Sequence, residues 1–147
     1  MAKKRGKKEA QQFVLDCSVT MAWFFKDEVN PYASSVRKAL NQARAVVPGL
    51  WPLEVANILA LAERRGRSSE AEAGKWLGYL QMLPIHVDDE TAARAWSDVL
   101  HVARLYRLSA YDAAYLELAL RLGAPLASLD ERLKATAASA GVAGFKP

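Results

Sequence analysis

Four short apolar runs, each closed by a turn or an acid, alternate with helix-length stretches, and this alternation narrows the possible folds most. The runs are Phe13-Val-Leu-Asp16, Val46-Val47 before Pro48-Gly49, Pro84-Ile-His-Val-Asp88 and Ala124-Pro-Leu-Ala-Ser-Leu129. Each has the length and composition of a buried strand. Between them, Pro31 opens a helix expected to reach Arg44, and Pro52 sits in the first turn of one running from Leu53 to about Arg65. Glu70 to Leu83, Glu90 to Tyr106, Ala110 to Leu122 and Glu131 to Ser139 read as further helices, with Gly123 as a C-cap and Val142–Phe145 as a possible edge strand. Parallel strands need crossovers of a dozen or more residues, which these helices supply. The expected architecture is therefore α/β, a parallel sheet covered by helices on both faces.

Four carboxylates fall at telling places in that frame. Asp16 follows the first strand and Asp130 the fourth, while Glu54 lies in the first turn of the helix after the second strand. Asp112 lies in the first turn of the helix that begins near Ala110. Open parallel sheets bind ligands at the carboxyl ends of their strands, near the point where strand order reverses. Asp16, Glu54 and Asp130 are expected at that edge, with Asp112 joining them if its helix also begins there.

Each acid alone has a structural explanation as a helix cap or a favourable charge at a helix N-terminus. Together they repel one another, and a divalent cation removes that penalty. An all-oxygen donor set favours Mg²⁺ or Mn²⁺ over zinc. Such an ion serves phosphodiester hydrolysis by activating water and offsetting phosphate charge. Asn57, three residues after Glu54, and Ser128, two before Asp130, are placed to orient a carboxylate or a water.

The stretches Phe13-Val-Leu-Asp16-Cys-Ser18, Pro52-Leu-Glu54-Val-Ala-Asn57, Ser109-Ala-Tyr-Asp112-Ala-Ala-Tyr115 and Pro125-Leu-Ala-Ser128-Leu-Asp130 resemble the acidic motifs of PIN domains. Their order and spacing are similar to those of VapC-type toxins, across almost all of the chain from Phe13 to Phe145. The resemblance implies a three-layer fold with a four- to five-stranded parallel sheet. It implies an Mg²⁺- or Mn²⁺-dependent endoribonuclease with Asp16, Glu54, Asp112 and Asp130 as the acidic set, Asp16 and Asp112 foremost as direct metal ligands. Ser128 matches a small hydroxyl residue of the family pattern, and Ser18 a polar one. It further implies an RNA substrate, a protein antitoxin and a homodimer. Some family members carry a further acid beyond the last one, where this chain has Lys134 and Ala135.

Composition sets the outer bounds. At 147 residues the chain reads as one domain, 13–147, behind a flexible basic tail, 1–12. The net charge of +4 resides entirely in residues 1–10, where five cations meet one acid, and the body sums to zero. Such a tail suits RNA phosphates, solubility or an expression remnant equally well. The one cysteine, Cys17, precludes an intrachain disulfide, and no apolar run is long enough for a signal or a span, so a cytoplasmic setting is expected. His86 and His101 read as structural. Among the aromatic residues, Phe24, Phe25 and Trp76 read as core, Tyr79 as further contact material, and Trp23 and Trp51 as candidates for a partner or an RNA base.

Four other readings compete with this one. A haloacid-dehalogenase phosphatase needs a second Asp where Ser18 stands, and a dinucleotide-binding domain needs a glycine-rich turn where Asp16-Cys-Ser-Val-Thr20 stands. A PIN-like module that binds RNA or protein without cutting gives no reason for four mutually repelling acids. A housekeeping RNA-processing nuclease shares the chemistry and differs only in biological role.

Overall fold

The computed structural model describes residues 11–147, so the basic segment up to Ala10 lies outside the described residues. The strands are β1 (Gln12–Leu15), β2 (Arg44–Val47), β3 (Ile85–Val87) and β4 (Leu126–Ala127). They form one parallel sheet in the order β3-β2-β1-β4. Phe13 pairs with Ala45, and Val14 stands between Val46 and Leu126. Phe13, Val14 and Leu15 are all fully buried. A strand covered on both faces has no use for polar alternation, which is why these read as unbroken apolar runs.

Between β1 and β2 lie α1 (Cys17–Phe24) and α2 (Pro31–Ala39), and between β2 and β3 lie α3 (Trp51–Arg64) and α4 (Glu70–Leu80). The last crossover comprises α5 (Thr91–Arg94), a π-helical stretch over Ala95–Val99, α6 (Leu100–Tyr106) and α7 (Ala110–Leu122). α8 (Glu131–Ser139) closes the chain's regular structure. Among the described residues, no helix is long and apolar enough to cross a membrane.

Several expected boundaries move, each for a local reason. β1 begins at Gln12, inside the segment assigned to the tail, because Gln12 pairs with Arg44. The second helix stops at Ala39 instead of reaching Arg44, since Arg44 must be extended to make that pair. The expected fifth strand reduces to one bridge between Leu126 and Gly144, with Phe145 donating its N–H to Leu126 O at 2.8 Å. Phe145 is fixed instead by its side chain, stacked on Phe13 with centroids 3.9 Å apart. Trp51, expected to face a partner, is core: its ring is buried and its Nε1 donates to Thr20 Oγ1 at 3.1 Å. Trp23 is half-buried and donates to the Ala33 carbonyl at 2.8 Å. Both indoles thus spend their N–H inside the fold.

α7 is the central helix. Every residue from Ala113 to Ala119 is buried, Glu117 included. A buried carboxylate requires a partner, and Arg121, one turn on, donates to it at 2.9 Å. The same guanidinium reaches Asp88 at the end of β3 at 2.8 Å and Glu90 at 3.1 Å. Side-chain exposures of 15% for Arg121, 10% for Asp88 and 6% for Glu117 make this an interior ion cluster. Replacing Arg121 with Ala strands two buried acids, so Arg121→Ala is expected to cost about 3 kcal/mol in urea unfolding at neutral pH. A cost below about 1 kcal/mol, the level of a surface pair, would show the cluster to be dispensable.

Candidate active site

From β1 the chain crosses to β2 on one side, whereas β4 lies on β1's other side, so strand order reverses between β1 and β4. The crevice above that switch point receives the residues that follow these two strands. Asp16 is the first residue after β1 and is buried. Its Oδ2 accepts from Ser18 Oγ at 2.6 Å and from Ser128 Oγ, beyond β4, at 2.8 Å. Those hydroxyls also accept backbone N–H groups, Ser18 from Leu129 and Ser128 from Asp130, both at 3.0 Å. Two serines therefore lock the post-β4 turn onto the β1 carboxylate.

The other three acids arrive on helix N-termini. A helix leading directly into a parallel strand begins at the carboxyl edge, so α7, which precedes β4, brings Asp112 there. Ser109 caps α7 by accepting the Asp112 N–H at 3.1 Å, which leaves the Asp112 carboxylate uninvolved in the cap. Glu54 occupies the first turn of α3 and accepts from Tyr115 Oη at 2.6 Å, a bond that joins α3 to α7. Asp130 is exposed and does cap α8, accepting the Leu133 N–H on Oδ1 at 2.9 Å. Its other oxygen is free for further work.

The charges of these acids are felt across the crevice. Burial raises the Asp16 carboxyl above its ordinary range against the pull of its two serine donors, and Asp130 adds to the rise. Burial likewise raises Glu54, opposed by the Tyr115 hydrogen bond and reinforced by Asp16 and Asp112. Asp112 is raised by burial, then by Asp130 and Asp16, with Arg132 opposing. None of the four acids takes part in a salt bridge among the described residues, although the interior acids Asp88 and Glu117 do. Unpaired, mutually destabilising carboxylates in a partly buried setting suit a divalent cation with oxygen ligands.

A second acidic group competes for that description and fails it. Asp88, Asp89 and Glu90 bring carboxylate oxygens within 4.8 Å of one another, closer as a trio than the four predicted acids. Both oxygens of Asp88 accept from Arg121, and Arg121 with its hydrogen bonds holds this carboxyl below the ordinary range. Glu90 is paired with Arg94 and Arg121. Two of the three, Asp88 and Glu90, are thus committed to arginines and belong to the ion cluster described above, with Asp89 exposed beside them.

Of the predicted supporting residues, Ser128 is drawn into the Asp16 shell and Asn57 is not. Asn57 is exposed and makes no hydrogen bond to Glu54 among the described residues. Tyr115 fills that role instead. It lies three residues after Asp112, so the two share a side of α7, but a buried tyrosine in an apolar helix is indistinguishable by sequence from ordinary core. Cys17 is no nucleophile: burial, with Glu54 and Asp16 nearby, pushes its thiol up to about 12. His86 and His101 are exposed, on β3 and α6.

With this geometry in place, comparison with known proteins becomes decisive. The family model of the PIN domain matches residues 13–139, which contain all four acids. The chain belongs to the PIN-domain family. It is 31% identical over 127 residues to Ribonuclease VapC3 of Pyrobaculum aerophilum, covering 83% of this chain and 92% of that protein. Two solved structures share its fold. PAE2754 from Pyrobaculum aerophilum superposes with a TM-score of 0.65 at 24% identity, covering 87% of this chain and 86% of that one. FitAcB from Neisseria gonorrhoeae gives 0.61 at 16% identity, covering 92% and 97%.

The raised carboxyls fix the pH dependence of the PIN domain's stability. Asp16, Glu54 and Asp112 bind protons more tightly folded than unfolded. Each contributes stability that is fully present below its unfolded value, 3.8 for Asp or 4.5 for Glu, and lost as pH rises through the folded value. Asp88 has the opposite sign, but its contribution disappears only below 3.8. From about pH 4 upward these groups should therefore lower the melting temperature of the metal-free protein as pH rises through their folded values. Asp112→Asn should flatten that slope and raise Tm near neutrality. A wild-type Tm that climbs toward pH 7 in EDTA would contradict the repulsion.

Proposed function

We propose that this PIN domain is a metal-dependent endoribonuclease that hydrolyses RNA phosphodiester bonds as the toxin of a toxin–antitoxin pair. The observation that carries the reading is the gathering of Asp16, Glu54, Asp112 and Asp130 at the switch-point crevice with no salt bridge to any of them among the described residues. The similarity to Ribonuclease VapC3 over most of both chains supplies the substrate class. A protein antitoxin, a homodimeric state and a cytoplasmic location complete the proposal by analogy with that class of toxin.

Asp16 and Asp112 would hold Mg²⁺ or Mn²⁺, with Asp130 through its free oxygen and Glu54 completing the acidic set. The ion would supply the activation of water and the neutralisation of phosphate charge. The protein's own groups do the rest. Ser18 and Ser128 hold the Asp16 carboxylate in one orientation, and Tyr115 does the same for Glu54. The raised proton affinity of Glu54 fits it to take a proton from an attacking water and release it later. The closed interior behind Asp16, built of Leu15, Val19 and Ala127, keeps solvent from reaching the carboxylates from below.

The test is cleavage of a mixed RNA substrate with Mg²⁺ or Mn²⁺ and with EDTA, alongside Asp16→Asn and Asp112→Asn. Cleavage should require metal and vanish in both variants, with folding confirmed by circular dichroism. Metal that neither supports cleavage nor raises the melting temperature would sink the proposal. Tyr115→Phe removes only the hydroxyl that orients Glu54. It should lower activity or metal affinity about 10–100-fold, the usual cost of losing a group that orients a ligand, while thermal stability changes little.

A further inference from the structure

The reaction proposed above needs more than its acids: an RNA strand must be held with one phosphate over them. The rim on the α7 side carries groups suited to that task which neither the fold nor the acids account for. Arg132, two residues beyond Asp130 in the first turn of α8, lies near enough to Asp112 to oppose the rise of its carboxyl. It forms no salt bridge with Asp112 or any other acid among the described residues. Its Nη2 instead donates to the backbone carbonyl of Arg107 at 3.1 Å, leaving the rest of the guanidinium fork uncommitted.

Arg107 ends α6 in the left-handed region, with φ of 54°, and it is the non-glycine residue at positive φ among the described residues. Gly123 and Gly141 serve comparable helix-end turns with the residue that such a conformation favours. A glycine would be the conformationally easier choice at position 107, yet an exposed arginine stands there. The tether from Arg132 fixes this turn beside the start of α7.

Tyr111 is the third element. It is 68% exposed, in the first turn of α7 and immediately before Asp112. It stands four positions before Tyr115, so it lies on the face of α7 whose next turn reaches Glu54. Its ring is therefore open to solvent at the start of α7, next in sequence to Asp112, with no core to bury in. An arginine near Asp112, a second exposed arginine on the turn to which it is tethered and an open aromatic ring next to Asp112 match the chemistry of a single strand, which offers phosphates and flat bases in alternation.

We propose that Arg107, Arg132 and Tyr111 form a substrate subsite, in which the two guanidinium groups hold RNA phosphates flanking the cleaved bond and Tyr111 stacks on an unpaired base. The subsite rests on the ribonuclease reading and adds to it where the strand runs: past the N-terminus of α7 and across the start of α8. Duplex RNA, whose bases are stacked inward, gains nothing from Tyr111.

Binding of fluorescent single-stranded oligoribonucleotides of mixed sequence, measured by anisotropy with Ca²⁺ present, tests the subsite apart from chemistry. Arg107→Gly, Arg132→Ala and Tyr111→Ala should each weaken binding about tenfold or more. Each arginine variant should also reduce the slope of log affinity against log salt by about 0.7, the value for one single-strand phosphate contact, and Tyr111→Ala should leave it unchanged. Arg107→Gly relieves the left-handed backbone, so its melting temperature should be equal or higher while its affinity falls, which a purely structural arginine would not give. Wild-type affinity in all three variants, or no measurable RNA binding by the wild type, overturns the subsite. A parallel cleavage assay with wild type and Asp16→Asn reports on the ribonuclease reading itself, so a protein that cuts RNA with its rim variants unimpaired would lose the subsite alone.

Discussion

A carboxylate placed at the end of a fully buried central strand sets the terms for everything around it. Asp16 has little contact with water, no cation within salt-bridge distance among the described residues and three other acids within electrostatic range. Two serine hydroxyls only partly offset its desolvation. The remaining structure reads as an accommodation of that charge. β4 runs only far enough to deliver Ser128, the turn after it is latched by Ser18 and Ser128, and α7 is buried nearly all round so that Tyr115 can reach Glu54. An apolar core beneath the site, with Phe13, Leu15, Leu116 and Leu126 fully enclosed, provides the stability against which this strain is held.

The two acidic groups illustrate how context separates structure from function. Asp88 and Glu117 are as buried as the site acids, and each has an arginine fork against it. Their charges are balanced within the chain and tie β3 to α7. The site acids have been left without that balance. The closer trio has two of its three acids paired with arginines, whereas the four acids around Asp16 form no salt bridge among the described residues.

Much of this was legible before any coordinates. Asp16, Glu54 and Asp130 are fixed to the carboxyl edge by strand-then-acid order alone, because a parallel sheet has only one such edge. Asp112 needed the rule that a helix leading into a parallel strand starts at that edge, together with the fact that α7 feeds β4 directly. What stayed hidden depends on side-chain partners brought together from afar. Tyr115 and Glu54 are 61 residues apart, and Ser128 and Asp16 are 112 apart. Trp51 was misread for the same reason: an indole beside a helix start looks exposed until Thr20, 31 residues away, is seen to accept its N–H. Asn57 shares a helical side with Glu54, but helical periodicity could not reveal that this residue faces solvent.

The π-helical stretch at Ala95–Val99 has a consequence for how the last crossover is read. A wider turn delays the helix's rotation, so positions counted at a constant 3.6 per turn from Thr91 fall out of phase by Leu100. Before the slip, Arg94 is directed to Glu90, Asp98 and Glu117; Val99 at its end and Val102 beyond it turn into the core. Trp96, within the slip, is left 93% exposed. The chain thus joins a polar-facing half and an apolar-facing half in what reads as one helix, much as a shifted reading frame joins two messages. Deleting one residue there would let the stretch close as ordinary α-helix with both halves still facing their present neighbours.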